Sequence, residues 1–450
     1  MSVESRPARP AGVSGGVLAA GILVLMCAVS RALALEPGDV LGPETWEEAQ
    51  GLLPPEILGH YQSGDYVNQI YDWPPDFYEW PPDFSAGSKE NEGRFDIGPA
   101  GGIIDRRTGE QPVHVLGFPF PTIDLDDPEA GAKIMWNHLY RTYYYGNLRA
   151  ESQLNMLEPA SLSRRLDVEV SFQYFDGVPV DERLPNPQNF LYQNLVLVQS
   201  PADVHGTAAL TWRYRDPRKR DSAWTYVPAL RRVRAVSPSN RSDGFLGSDQ
   251  SQDDGPFFDG KPEDFVWKRV GEVDQLRLVD PLNLAGKSNA VWHDEEGGFW
   301  RANWPDMPFL GYMDPQWKGL SWAPIAAGLA KRRFHVVEAV PKDRYYLFGK
   351  IEFFVDTITF QGAWARKYDW KGELLQCFQV MGWNNHVYTR PNGKKDWGQG
   401  SNQAFQAVEN VKLKRATVAG IKSSPTSGFD AKIRYRPGTF DTASLSRLGK

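Results

Sequence analysis

Two long stretches of this chain repeat one pattern: short runs in which every second residue is apolar, with no helical repeat between them. Leu166, Val168, Val170, Phe172 and Tyr174 alternate at period two. Runs at 191–198 and 208–214 continue the pattern, and the second places Leu210, Trp212 and Tyr214 on one face. Further strand-like runs occupy 334–340, 345–348 and 350–360, while those at 363–368 and 374–381 flank Asp369-Trp370-Lys371-Gly372, a hairpin turn. Period two sends alternate side chains to opposite faces of a strand. Strands that follow one another without crossover helices form antiparallel sheets. A large sheet with many inward aromatics curls, and one that stays open can hold apolar ligands on its concave face. The expected fold class is α+β and β-dominated, with a large curved antiparallel sheet forming an incomplete barrel.

Composition agrees with that class. Aromatics make up 13% of the 450 residues, and the 42 Gly and 34 Pro supply many turns. Residues 1–34 read as a signal peptide, with Arg6 and Arg9 as its basic start, Val17 to Val29 as its apolar run and Ala32-Leu33-Ala34 as a small-x-small cleavage pattern. Cleavage is expected after Ala34, which makes the protein periplasmic; an uncleaved anchor is the alternative. Losing three Arg and one Glu with this segment takes the formal charge from −6 to about −8. An acidic exported chain argues against nucleic-acid binding, which leaves a basic footprint. Only Cys377 remains after cleavage, so no internal disulfide forms, and its apolar neighbours suggest a buried structural thiol.

The expected organisation is the signal peptide at 1–34, an N-terminal helical and Pro-rich arm at 35–110, a curved-sheet ligand-binding domain at 111–420 and a C-terminal tail at 421–450. In the arm, Thr45 resembles the cap of a helix carrying Trp46, Ala49 and Leu53, ended by Pro54-Pro55, with another helical turn over Glu56 to Tyr61. The segment WPPDF occurs at 73–77 and again at 80–84 and reads as an extended connector, either packed on its own domain or offered to a partner. Asp127-Pro128 opens the clearest helix, with Ile134, Trp136, Leu139, Tyr140 and Tyr143 on its apolar side. Residues 271–325 look irregular, and 405–418 suits either a strand or a helix.

Asp221 to Asp254 concentrates the most chemistry. An aromatic run with Trp224 and Tyr226 meets Pro228, then Arg231, Arg232 and Arg234 follow, then a long polar loop whose apolar tip is Phe245-Leu246. Alternation sends Arg232 and Arg234 to one face and Arg231 and Val233 to the other. Guanidinium groups beside Trp224 and Tyr226 could hold an anionic head group while aromatics cover an apolar body. Alternatively, Asp243, Asp249, Asp253 and Asp254 neutralise the Arg cluster internally. The candidate ligand-binding residues are Trp212, Trp224, Tyr226, Arg232, Arg234, Phe245 and Leu246, the last two as a lid, a membrane-touching tip or a pair tucked into the core edge.

Beyond the expected signal peptide, no nucleophile elbow, HExxH pair or Gly-rich phosphate loop is present in the sequence. His293-Asp294-Glu295-Glu296 reads as a solvated acidic turn rather than a metal site, and His138 as a satisfied histidine rather than a base. No catalytic residue, metal or cofactor is assigned.

The residues from Trp224 to Arg234, with Ser239-Asn240-Arg241-Ser242-Asp243-Gly244-Phe245-Leu246-Gly247-Ser248-Asp249, resemble exported outer-membrane lipoprotein-sorting proteins. More closely, the chain resembles a bacterial periplasmic family of unassigned function within that group; Pro37-Gly38-Asp39-Val40, Pro119-Phe120-Pro121 and Lys133-Ile134-Met135-Trp136-Asn137 add to the likeness. The resemblance implies a lipoprotein-carrier-like fold with helices over the open side of the sheet. It also implies a carrier of a lipid-like or amphipathic molecule, working with an envelope transporter or outer-membrane protein. The chain departs from the pattern at Gln250-Ser251-Gln252-Asp253-Asp254 and in the duplicated WPPDF. A secreted hydrolase or lyase, and a structural partner of an envelope complex, are the alternative functions.

Overall fold

A computed structural model describes residues 35–448 apart from 75–79, 145, 285–289, 293–298, 303–308, 383–385, 390–394, 399–402, 421–425, 428 and 432. The expected signal peptide, most of the first WPPDF and the His293–Glu296 run lie outside the described residues.

Sixteen strands form one sheet. The first eight are β1 (Val40–Leu41), β2 (Asn68–Tyr71), β3 (Leu148–Glu158), β4 (Ser161–Tyr174), β5 (Phe190–Ser200), β6 (Ala208–Tyr214), β7 (Ser222–Val227) and β8 (Arg232–Val236). The others are β9 (Phe265–Val279), β10 (Gly328–Pro341), β11 (Lys350–Asp356), β12 (Gly362–Tyr368), β13 (Leu374–Gly382), β14 (Gln403–Asn410), β15 (Arg415–Ala419) and β16 (Phe429–Ala431). Their order is β1-β2-β10-β11-β12-β13-β14-β15-β3-β4-β5-β6-β7-β8, with β9 also paired to β10 and β16 to β3. Pairing is antiparallel throughout except between β2 and β10. The sheet is open, as expected, with β8 as an edge. It nevertheless curls: the β6–β7 turn and the β10–β11 turn, far apart in strand order, meet where Arg220 donates to Asp343 at 3.1 Å.

Both faces are covered over part of their extent. The inner face carries Val337, Phe353, Ala365, Phe378 and Val408 against the helix Ala130–Tyr143 and the rings of Phe257 and Phe258. On the outer face, Trp364, Met381, Phe405 and Val418 meet Ile57 and Tyr61. Farther along that face, Leu195, Leu210 and Tyr226 meet Phe440 and Leu445.

Among the described residues, four helices longer than a single turn attend the sheet: α1 (Pro55–Ser63), α2 (Pro82–Glu90), α3 (Ala130–Tyr143) and α4 (Thr442–Leu448). Proline opens two of them. Its missing N–H costs nothing in a first turn and its φ is already helical. Pro54-Pro55 therefore starts α1 rather than ending a helix before it. Only a 3-10 turn, Trp46–Ala49, stands where the earlier helix was expected. The Thr45 hydroxyl does not cap it, because it donates to the Val40 carbonyl and accepts the Gly42 N–H. Likewise the second WPPDF is not extended: Pro82 begins α2, and Trp80 stacks on Phe84 at 4.4 Å.

Helix α3 forms where expected, but all fourteen of its residues are buried. Two of its polar side chains find partners across the core. Asn137 donates to the Phe120 carbonyl and accepts the Phe120 N–H, and the Lys133 ammonium reaches Asp96 and Asp127. The stretch expected to be irregular from 271 continues β9 instead, whose charged, partly exposed first half hides its alternation. Residues 345–348 form a turn, not a strand, held by the Tyr345 N–H on the Asp343 carboxylate. Residues 403–419 form two strands, β14 and β15. Part of the expected tail is ordered: β16 extends the sheet and α4 seats Leu445 on its outer face.

Candidate ligand-binding site

Register decides what the aromatic–arginine stretch does. Leu210 faces Trp224 across β6–β7, and Ala208 faces Tyr226. Directly opposed residues share a face, so Trp212, Trp224 and Tyr226 lie together on the outer face. There they pack under the C-terminal segment: Trp212 and Trp224 meet edge to face at 4.6 Å, and the Trp212 indole N–H donates to the Phe440 carbonyl at 2.9 Å. Across β7–β8, Arg232 opposes Val227 and Arg234 opposes Thr225, while Ala235 opposes Trp224. Arg232 and Arg234 thus share a face, as expected, but it is the inner one. The anticipated clamp of two arginines beside Trp224 and Tyr226 does not form. Arg231 belongs to neither face; it sits in the turn at φ 49°.

The arginines instead end a cross-strand row on the inner face. Ala150, Val170, Val196, Ala209, Thr225 and Arg234 are directly opposed from β3 through β8. Small and β-branched side chains keep this floor low. Ala150, Val170, Val196 and Thr225 remain half-buried, and Arg232 and Arg234 are exposed with no ion-pair partner among the described residues. Beside the row, Leu154, Leu166, Val168 and Val198 form an apolar cluster, and Phe245 and Leu246 pack against it. The predicted tip therefore rests on the inner face, with Leu246 turned to φ 49° to reach it.

Three of the four aspartates expected to neutralise the Arg cluster are taken elsewhere. Asp249 accepts the Arg415 guanidinium at 3.0 Å, Asp253 accepts Arg241 at 2.6 Å, and Asp254 pairs with Lys367. Gln376 and Gln406 donate to the Asp249 and Asp254 carbonyls, at 2.9 and 2.6 Å. These bonds pin the long 237–260 loop along the inner face from β12 to β15. Near its end lies a buried charged network. The Arg213 guanidinium donates to one oxygen of Asp221 at 3.0 and 2.8 Å, to its other oxygen at 3.3 Å, and to the Asp259 carbonyl. Burial pushes the Asp221 carboxyl up, but Arg213 and Arg241 outweigh it and hold it below the usual range. For Asp259 burial wins, and its carboxyl is raised. Glu263 is pushed up to about 7 by burial, against the pull of Lys261. Neither of its carboxylate oxygens has a hydrogen-bond partner among the described residues. Of this network, Arg241 stood within the motif quoted from the sequence; Arg213, Lys367 and Arg415 carried no local signal, because their partners lie on distant elements.

His138 is fully buried between the carbonyls of Phe360, at 2.9 Å, and Pro256, at 3.3 Å. Burial and the Arg141 charge push its pKa down to about 3, so it is a neutral core histidine. The Cys377 thiol is buried and raised well above its ordinary value. Among the described residues, no three His, Cys, Asp or Glu side chains converge as metal ligands. No described helix is long and apolar enough to cross a membrane.

Residues 65–303, more than half of the chain, match the family described as Protein of unknown function (DUF1329). The chain belongs to the DUF1329 family. The residues from Trp224 to Asp249 that carried the resemblance lie inside the matched span. An uncharacterized protein of Pseudomonas aeruginosa is 22% identical over 341 residues, 74% of this chain and 65% of that protein. The chain thus spans less than two thirds of that relative's length. Among solved structures, a DUF1329 family protein from Desulfovibrio piger aligns at 16% identity with a TM-score of 0.44, covering 71% of this chain and 99% of its own. A domain from Vibrio parahaemolyticus, provisionally described as an outer-membrane lipoprotein-sorting protein, aligns at 17% identity with a TM-score of 0.44, covering 71% of this chain and 100% of its own.

Proposed function

We propose that this DUF1329 protein binds and carries a lipid-like or other amphipathic molecule in the bacterial periplasm, in company with an envelope export system. One observation carries the reading: the row Ala150–Val170–Val196–Ala209–Thr225 forms a half-open apolar floor that ends at Arg234, with Arg232 beside it, neither having an ion-pair partner among the described residues. An apolar body lies on the floor, its anionic end meets Arg232 and Arg234, and Phe245-Leu246 closes over the neighbouring apolar cluster. Bidentate guanidinium contacts suit a carboxylate or phosphate end group. The N-terminal segment with the Val17–Val29 apolar run supports export. Trp212, Trp224 and Tyr226 enter this reading as the packed underside of the floor, not as its lining.

Mass spectrometry of organic extracts from protein purified without detergent tests it. A stoichiometric lipid is expected, together with saturable uptake of a fluorescent fatty acid that Val170→Asp abolishes. Clean extracts and no saturable uptake would refute the carrier function.

A further inference from the structure

The junction that curls the sheet also forms a cleft of about 360 Å³, away from the apolar floor. It lies between the β6–β7 turn, the β10–β11 turn and the start of β9. Arg220, Arg241, Lys261, Lys342 and Arg344 line it, with Asp221, Asp253, Asp264 and Asp343. Most of those acids are already engaged. Asp221 is held by Arg213, Asp253 by Arg241 and the Tyr346 hydroxyl, and Asp343 by Arg220. Lys261, Lys342 and Arg344 remain against a single carboxylate, Asp264. Lys261 is buried, and its ammonium donates to the carbonyls of Asp216 and Lys219 at 3.0 and 2.6 Å. An ammonium has three N–H groups, so one is left over. The Lys342 ammonium is steadied by one bond, to the Glu263 carbonyl at 2.7 Å. One terminal nitrogen of Arg241 has only a 3.8 Å approach to Asp221.

Cations therefore converge from several sides on a cleft in an otherwise acidic protein. A planar carboxylate is satisfied by one guanidinium fork, whereas donors spread in three dimensions suit the several oxygens of a tetrahedral anion. Next to the lining residues Arg344 and Tyr346 stand exposed apolar groups. Tyr345 is 88% and Leu347 43% exposed, and Trp370 carries Arg344 over its ring at 4.6 Å.

We propose that this cleft is a second binding site, for a phosphate-class head group, with Tyr345, Leu347 and Trp370 receiving the apolar part attached to it. The site does not depend on the apolar floor and survives if no lipid is found there.

Two probes distinguish a phospholipid from a soluble phosphate ester: calorimetric titration with sodium phosphate, and co-sedimentation with vesicles of phosphatidylglycerol and phosphatidylcholine or of phosphatidylcholine alone. Saturable phosphate binding is expected, weakened at least tenfold by Lys342→Glu or Arg344→Glu and unchanged by Lys318→Glu, an exposed lysine elsewhere. Co-sedimentation with phosphatidylglycerol vesicles that is lost in the same two variants, and in Tyr345→Ser, assigns the head group to a bilayer lipid. Phosphate binding with the same variant pattern but no vesicle binding assigns it to a soluble ester. No saturable binding to either probe, or an equal loss with Lys318→Glu, overturns the site.

Discussion

Replacing Glu263 by Gln is expected to stabilise the protein at pH 8 and to do little at pH 5. The residue is 4% exposed, and both carboxylate oxygens lack hydrogen-bond partners among the described residues. Burial pushes its pKa from an ordinary 4.5 to about 7. Between those values the folded protein holds a proton that the unfolded chain has released, so stability falls as pH rises through the window. Each pH unit there costs about 1.4 kcal/mol, hence about 3 kcal/mol once Glu263 is ionised. Below pH 4.5 both states are protonated and the penalty vanishes. Glutamine keeps the shape and never ionises, so it removes the penalty only above the window. At about 2 cal/mol/K of unfolding entropy per residue, the gain is about 3 °C in Tm. Scanning calorimetry of both proteins from pH 4.5 to 8.5 is the assay. All other titrating groups are common to the two, so the difference between their profiles isolates Glu263. Parallel profiles, with the same offset at pH 5 and pH 8, would show that the carboxyl is hydrated or paired and refute the reasoning.

Lys367→Met leaves Asp254 buried without its cation and is expected to cost about 3–5 kcal/mol; adding Asp254→Leu should recover much of that in denaturant titrations. Leu445→Ala opens a cavity between α4 and the outer face, and a loss of about 2–3 kcal/mol is expected, with faster proteolysis of the C-terminal segment as the readout. Arg234→Glu reverses charge at the end of the apolar floor and should weaken uptake of an anionic fluorescent fatty acid at least tenfold, while uptake of a neutral analogue stays within twofold. The same substitution should leave phosphate affinity at the cleft unchanged, which calorimetry can check.

Much of the sheet was legible because strand periodicity is local. β4, β6 and β12 fall almost where alternation put them. Helix α3 was equally visible from its aspartate–proline start. The failures have physical causes. The prolines at 54–55 and 81–82 could end one element or begin the next, and only packing against the core chose the second. β9 was hidden because its first half is partly exposed and charged, and its pairing with β10, rather than its own composition, makes it a strand. Arg241 could be seen in its motif, but Lys367 and Arg415, which hold the aspartates of that loop, lie more than a hundred residues away and advertise nothing.

The sequence by itself determined the class of fold, the position of the curved sheet in the chain and the stretch where charge and aromaticity concentrate. Each depends on neighbours within a few residues. Tertiary structure alone decided which face each residue of that stretch would occupy. A strand alternates its side chains whatever lies beside it, but the face that becomes the inside is chosen by curl and by what packs there. Register then parted Trp224 and Tyr226 from Arg232 and Arg234. The same curl joined two distant turns around Lys261, Lys342 and Arg344. No spacing along the chain could announce that cleft, because its walls meet only when the sheet bends.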